Sequence, residues 1–348
     1  MTTWTKSTIA KQLADWIDVD STTGREGDFA HAMKSVLEAS GFAVELQEVE
    51  PGRFNVMARA DRPEVVFCTH LDTVPPFIPP RVAGAQVFGR GACDAKGQAL
   101  SMLLAAEELM GRGERRIGFL LTVGEEIDSA GAAFANEALG ADPALRDQWR
   151  PQCTIVGEPT GNRFISGHKG IFLAELVGHG VAGHSGNPLG PSAIHELVGC
   201  CSRLTGADWG HDPRLGDGSI NVGTISGGHA PNVVAPRANA EILVRAVDGP
   251  DEVRGRIEAC LGDHVTLLEG REQYGPVHFE VPDGEPAEPV SFGTDAPHLT
   301  RFGKPLLFGP GSIDLAHTDN EHIELADVEA AVGRHVQTVE SLLMGSGS

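Results

Sequence analysis

The sequence predicts an α/β protein, a mixed-sheet domain built from both ends of the chain and interrupted by a smaller α+β sandwich. Three observations carry this. Short apolar runs at Glu64–Thr69, Arg116–Thr122, Gln152–Val156 and Pro305–Phe308 are too brief for helices and break off in polar or glycine-rich stretches, as buried strands do. Segments with helical apolar spacing separate them, the alternation of an α/β sheet. Between Gly167 and about Gly270 the order changes to β-α-β-β-α, that of a ferredoxin-like sandwich. The expected domains are therefore residues 1–166 with 276–348, and an insert over 167–275.

Taken in order, Ile9–Ile17 and Phe29–Ala39 space their apolar residues as helices, with Gly41 placed to cap the second. Phe42–Val49 and Arg53–Ala58 read as strands. Gln98–Met110 is a helix rich in Ala and Leu, and Asp128–Leu139 reads as another. In the insert, Ile171–Val177, Ser219–Ile225 and Ala238–Ala246 alternate as strands, while Ser192–Leu204 and Asp251–Cys260 are helical. Ile323–Met344 is the closing helix, and Gly345-Ser346-Gly347-Ser348 reads as a flexible tail.

The bulk numbers exclude some functions. At 348 residues and 41% hydrophobic the chain can bury two cores. A net charge of -21, from 48 acids against 27 basic residues, argues against nucleic acid or an anionic membrane as partner. No apolar run approaches a membrane span, and Met1–Asp20 lacks the apolar core of a signal peptide. Six cysteines without CxxC spacing are most simply reduced thiols, which implies a cytoplasmic protein.

The chemistry gathers where strands stop. Leu120-Leu121-Thr122-Val123 ends in Gly124-Glu125-Glu126, and adjacent residues on extended backbone point to opposite sides, so one acid can hold a metal while the other moves a proton. Alone, the pair is better read as a solvated helix start. His70 and Asp72 end another strand, two residues apart, so the carboxylate can accept from the ring nitrogen that faces away from a metal. Gly157-Glu158 ends a third. Phe88–Gly97 places Asp94 on a glycine turn before a helix; a phosphate loop is excluded because Lys96 precedes Gly97 and Gln98 rather than following a glycine and leading to Ser or Thr. His317 follows the turn Gly309–Ser312. A mixed His and carboxylate set suits Zn²⁺, Co²⁺ or Mn²⁺. His184 sits in the glycine-rich loop Gly183–Pro188 of the insert.

Together, His70–Pro75, Gly89–Gly97, Gly124-Glu125-Glu126, Gly157–Thr160, Gly183-His184-Ser185 and Gly309–Ser312 through His317 resemble, in order along nearly the whole chain, the di-zinc family of acetylornithine deacetylase, succinyl-diaminopimelate desuccinylase and aminoacylase, which also includes glutamate carboxypeptidase. The resemblance implies a zinc-exopeptidase-like catalytic domain with an inserted lid. It implies that His70 and Glu158 bind one zinc, that Glu126 and His317 bind the other, and that Asp94 bridges them, with Co²⁺ or Mn²⁺ able to substitute. By the same likeness Asp72 orients His70, Glu125 is general base and acid, and His184 reaches the scissile carbonyl, often across a homodimer formed by the lids. Asn232, Arg245 and Thr294 would contact substrate.

The loops at Gly157–Gly170, Gly293–Ala296 and Gly309–Thr318 look most like those of acetylornithine, acetylcitrulline and acetyl-lysine deacetylases. The expected activity is removal of acetyl from such an N-acetyl-α-amino acid, in arginine or lysine biosynthesis. A dipeptidase, carboxypeptidase or desuccinylase is the alternative, and a non-catalytic binding relative the remote one. One departure is Tyr274–Pro289, too rich in Pro, Gly and Glu for the helix that relatives carry there.

Overall fold

The computed structural model describes residues 4–268 and 273–345, so the expected tail from Ser346 onward lies outside the described residues. Its contacts divide the chain into two compact units: Met1–Ser166 with Phe279–Glu288 and Thr294–Ser348, and Gly167–His278 with Pro289–Gly293.

The first unit begins with α1 (Lys6–Ile17) and α2 (Gly27–Ala39). Thr5 and Thr8 exchange backbone and hydroxyl hydrogen bonds to cap α1, and Gly41, at φ +90°, ends α2 by donating to Glu38. The chain continues through β1 (Ala43–Glu50), β2 (Arg53–Arg59), β3 (Val65–His70), β4 (Arg81–Ala83), β5 (Gln86–Phe88), α3 (Lys96–Gly111), β6 (Ile117–Thr122), α4 (Ala130–Ala141) and β7 (Cys153–Val156). The second unit follows as β8 (Gly170–His179), α5 (Ala193–Gly206), β9 (Ser219–Gly227), β10 (Arg237–Ala246), α6 (Pro250–Cys260) and β11 (Val265–Leu268). The first unit resumes with β12 (Lys304–Leu307), β13 (His322–Glu324) and α7 (Leu325–Gly345).

The main sheet has the order β1-β2-β6-β3-β7-β12. β1 to β2 and β2 to β6 are antiparallel, whereas β6, β3, β7 and β12 run parallel. The sheet is therefore mixed, and its four parallel strands present their carboxyl ends at one edge, where open α/β sheets hold ligands. α3 is buried nearly all round because it lies against α7, α1 and β3; buried apolar residues of the sheet and helices share one core with it. Phe119 of β6 is fully buried there, with its ring 5.3 Å from Phe42 and 5.4 Å from Phe67.

The second unit is an antiparallel sheet, β9-β10-β8-β11, whose buried residues Phe172, Ala174, Leu176, Ala240, Ile242 and Val244 pack against α5 and α6. That is the β-α-β-β-α-β order of a ferredoxin-like sandwich. The sequence reading missed its last strand, since Val265–Leu268 has only four residues and too little alternation to be seen.

Two boundaries differ from expectation for physical reasons. Ile323 and Glu324 are strand rather than helix, because β13 pairs with β5 and α7 starts only at Leu325. α4 starts at Ala130 rather than Asp128, because Ile127, Asp128 and Ser129 all donate to the Gly124 carbonyl and close a turn. Tyr274–Pro289 contains short strands and no helix. No helix among the described residues is long and apolar enough to cross a membrane.

Emptying the centre of the aromatic cluster tests this packing. Phe119→Ala should lower unfolding free energy by about 3–5 kcal/mol, read as a shifted denaturant midpoint at unchanged slope.

Candidate metal centre

The parallel edge gathers the acids. β3 ends in His70, β6 leads into Glu125 and Glu126, β7 into Glu158, and β12 into the loop that carries His317. Asp94 arrives from the glycine turn between β5 and α3, in which Ala92 donates to Gly89 and Lys96 to Gly91. Gly91 has φ +87°, and a Cβ there would lie 3.0 Å from the Thr73 methyl, so the turn needs glycine. Lys96 is buried, its ammonium donating to the carbonyls of Trp16 and Val19 over the Phe29 ring. It anchors α3 to the end of α1, and burial lowers its pKa to about 7.

Two ligand-capable groups share one residue. One donor atom from each of His70, Asp94 and Glu158 lies within 4.8 Å of the others, and the same holds for Asp94, Glu126 and His317. His70 Nε2 donates to Asp94 Oδ1 at 2.9 Å, and His317 Nε2 stands 3.2 Å from Asp94 Oδ2 and 3.0 Å from Glu126 Oε2. His317 holds this position at φ +61°, a left-handed conformation that costs ~1–3 kcal/mol and is typical of constrained functional sites.

Asp72 does more than the sequence reading assigned to it. His70 Nδ1 donates to the Asp72 backbone carbonyl at 2.9 Å, nearer than the carboxylate at 3.6 Å. The buried carboxylate accepts instead from the backbone N–H groups of Gly124, Glu125 and Glu126, at 3.1, 3.2 and 3.3 Å, and from the Thr23 hydroxyl at 2.9 Å. It thus clamps the turn that carries both glutamates. That turn replaces the extended backbone expected for the pair, so their divergence comes from turn geometry rather than strand alternation.

The electrostatics call for a cation. Burial, then the charge of Glu158, pushes the Glu125 carboxyl well above the ordinary range; burial, then Asp94, does the same to Glu158. Burial raises Glu126 as well. It also pushes Asp94 upward, but His317 and His70 outweigh it and hold this carboxyl below its ordinary value. Asp94 and Glu126 raise His317 to about 10. Carboxylates and imidazoles this close, with imidazolium the main opposing charge, form a donor set that fits divalent ions of the Zn²⁺, Co²⁺ and Mn²⁺ kind.

Thr294, expected to touch substrate, is 3% exposed, and its hydroxyl accepts from the Ala296 N–H. The neighbouring Asp295, which the sequence reading passed over, is buried and accepts from Thr122 at 2.6 Å, one residue beyond Leu121 in β6. Arg90 and Glu321, also unnoticed, form a buried ion pair of 2.7 Å beside Asp94. Glu321 looks like solvated loop in sequence, and only burial reveals it.

In the second unit, His184 lies in a two-residue strand paired with Val233 and Val234. Its exposed ring accepts from Gly186 N–H, and Ser185 donates to the Asn232 carbonyl, so His184 and Asn232 lie at one two-stranded ladder. Arg245 lies on the face of β10 opposite the helices, partly buried, and makes no side-chain hydrogen bond or ion pair among the described residues.

The model described as Peptidase family M20/M25/M40 matches residues 66–341. A peptidase M20 domain-containing protein of Schizosaccharomyces pombe is 36% identical over 326 residues, 90% of this chain and 79% of the relative. A probable carboxypeptidase of Aspergillus flavus is 32% identical over 375 residues, 94% of this chain and 86% of the relative. Among solved structures, aminopeptidase PepT from Bacillus cereus has a TM-score of 0.79 at 17% identity, covering 95% of this chain and 97% of that one, a likeness of fold.

Because His317 must lose a proton to bind a metal, binding at pH 8 should release protons, and His317→Ala should lower the number released by about one. Calorimetry in buffers of different ionisation enthalpy reads this directly. In the metal-free protein the sign is opposite: raised from 6.5 to about 10, His317 stabilises the fold fully below pH 6.5, and that contribution fades as pH rises through about 10.

Proposed function

Because the chain belongs to peptidase family M20/M25/M40, we propose that its two ligand groups hold a pair of divalent ions, Zn²⁺ with Co²⁺ or Mn²⁺ able to substitute, and that it deacetylates an N-acetyl-α-amino acid of the ornithine, citrulline or lysine type. Membership makes it a metal-dependent hydrolase of the peptidase and amidase kind. The observation that carries the proposal is Asp94, which belongs to both groups and offers one carboxylate oxygen to each histidine.

In this reading His70 and Glu158 serve one ion, Glu126 and His317 the other, and Asp94 both. Bound ions of this kind lower the pKa of a coordinated water from ~15.7 toward ~7 and polarise an amide carbonyl. Glu125 is the general base and acid. Its carboxyl is raised by burial and by Glu158, and it makes no side-chain hydrogen bond among the described residues, so it is free to take the water's proton and deliver it to the leaving amine. Asp72 keeps Glu125 in place through the backbone. His184 donates to the carbonyl oxygen as charge develops there, a contact typically worth roughly 3 kcal/mol. Arg245, whose side chain makes no hydrogen bond or ion pair among the described residues, and Asn232 take the substrate carboxylate.

The deacetylase assignment rests on the loops around Glu158, Thr294 and His317. The name of the Aspergillus flavus relative favours a second reading, a carboxypeptidase acting through the same centre, with a dipeptidase as its near variant. A homodimer formed through the second unit, whose edge strand β9 is largely exposed, completes the proposal, with a cytoplasmic setting in arginine or lysine biosynthesis for a chain whose six cysteines are all free.

A panel of N-acetylornithine, N-acetylcitrulline, N-acetyl-lysine, N-succinyl-diaminopimelate and dipeptides, with Zn²⁺- or Co²⁺-loaded protein and a chelated control, tests both. Acetate release from one acetylated amino acid is the expected result; cleavage of dipeptides alone would move the protein to the peptidase reading. Glu125→Ala should lower kcat by about 10²–10⁴-fold while metal binding is retained. Unchanged turnover would remove Glu125 from the mechanism.

A further inference from the structure

Buried ion pairs are costly to desolvate, and apolar residues of similar size often stabilise a fold equally well, so the Arg90–Glu321 pair invites an explanation beyond stability. Both side chains are almost fully buried, and Arg90 Nη1 donates to Glu321 Oε2 at 2.7 Å. The second oxygen, Oε1, accepts from the backbone N–H groups of Cys93 and Asp94, each at 3.2 Å. The carboxylate therefore grips the chain at the residue shared by both ligand groups.

The same pair also holds the other side of the site. β13 pairs with β5, His322 opposite Phe88, and Gly89 extends that ladder by donating to the Glu321 carbonyl at 3.0 Å. Register thus delivers Glu321 onto the turn 89–94. Arg90 Nη1 further donates to the Thr318 carbonyl, next to His317, and the Glu321 N–H donates to the same carbonyl. One ion pair consequently fixes the backbone of Asp94 and the backbone beside His317. Neither Arg90 nor Glu321 makes a hydrogen bond to the strands that supply His70 and Glu158.

We infer that Glu321 is a positioning residue for the metal group of Asp94, Glu126 and His317, setting the distance between Asp94 and His317 through paired hydrogen bonds to the backbone while Arg90 holds its charge in place. The inference rests on the two-metal reading above. It assigns an asymmetry: loss of Glu321 weakens chiefly the ion at Asp94, Glu126 and His317, where the pair holds the backbone at two of the three donors, and much less the ion at His70, Asp94 and Glu158, where it holds only Asp94 while β3 and β7 carry the other two.

The test is a stepwise metal titration by calorimetry and by Co²⁺ absorption, which report coordination without turnover. It compares the wild type, Glu321→Gln, and the double variant Arg90→Met/Glu321→Met, in which both charges leave together and circular dichroism checks the fold. The wild type should bind two ions per chain. The double variant should keep one step within threefold of wild type and weaken the other tenfold or more. Glu321→Gln retains an acceptor oxygen for the Cys93 and Asp94 N–H groups and should weaken the same step by a smaller factor; it decides the matter if the double variant does not fold. Unchanged steps, or equal weakening of both, would overturn the inference alone. A wild type that fails to bind two ions would instead overturn the two-metal reading beneath it.

Discussion

Like charges brought together at one sheet edge are the constraint on which the first unit depends. Asp94 lies close to Glu158 in one group and to Glu126 in the other, with Glu125 beside them, and burial pushes all four upward, the histidines reversing the shift only at Asp94. Such a cluster persists only if protons, imidazolium or a cation offsets its charge. The parallel run of β6, β3, β7 and β12 creates the crowding by stopping four strands at one edge. The surrounding hydrogen bonds then hold each acid where repulsion alone would not leave it.

Two carboxylates work behind the site for that purpose, and both act on backbone rather than on ligand side chains. Asp72 gathers the N–H groups of Gly124, Glu125 and Glu126; Glu321 gathers those of Cys93 and Asp94. Despite its burial, hydrogen bonds hold Asp72 below its ordinary pKa, whereas burial and then the charge of Asp94 raise Glu321; each carboxyl stiffens the turn it grips. Precision here comes from fixing short turns, since the loops after Thr122 and after Phe88 have no regular structure of their own.

Much of this was legible in sequence, for a physical reason. A buried strand must be apolar and must stop, and a strand that stops at Glu, at Gly-Glu-Glu or at His-Leu-Asp announces polar groups at a sheet edge. The runs before His70, Glu125 and Glu158 therefore gave the sheet and the candidate ligands together. His317 was reachable by its place after Pro305–Phe308. Residues whose role depends on which distant backbone they meet were not legible. Glu321 sits in a polar stretch that resembles solvated loop, Asp295 was hidden behind Thr294, and the clamp made by Asp72 requires knowing that β6 pairs beside β3, which brings Gly124 to the end of β3. The strand pairing of Ile323 and Glu324 was lost to a helical pattern, because three residues give too short a signal against the 21-residue helix that follows.

The sharing of Asp94 has a further consequence, in the order in which the chain is made. His70, Asp94, Glu126 and Glu158 all leave the ribosome well before His317, and at ~5–20 residues per second the gap is on the order of ten seconds. Through that interval one ligand group has all its members and the other lacks its histidine. The parallel strands β6, β3 and β7 can pair in that time, while β12, on the edge beside β7, and β13 still wait. Biosynthesis thus imposes a sequence of assembly on two groups that share a residue, and Asp94 is present from the first group to the completion of the second.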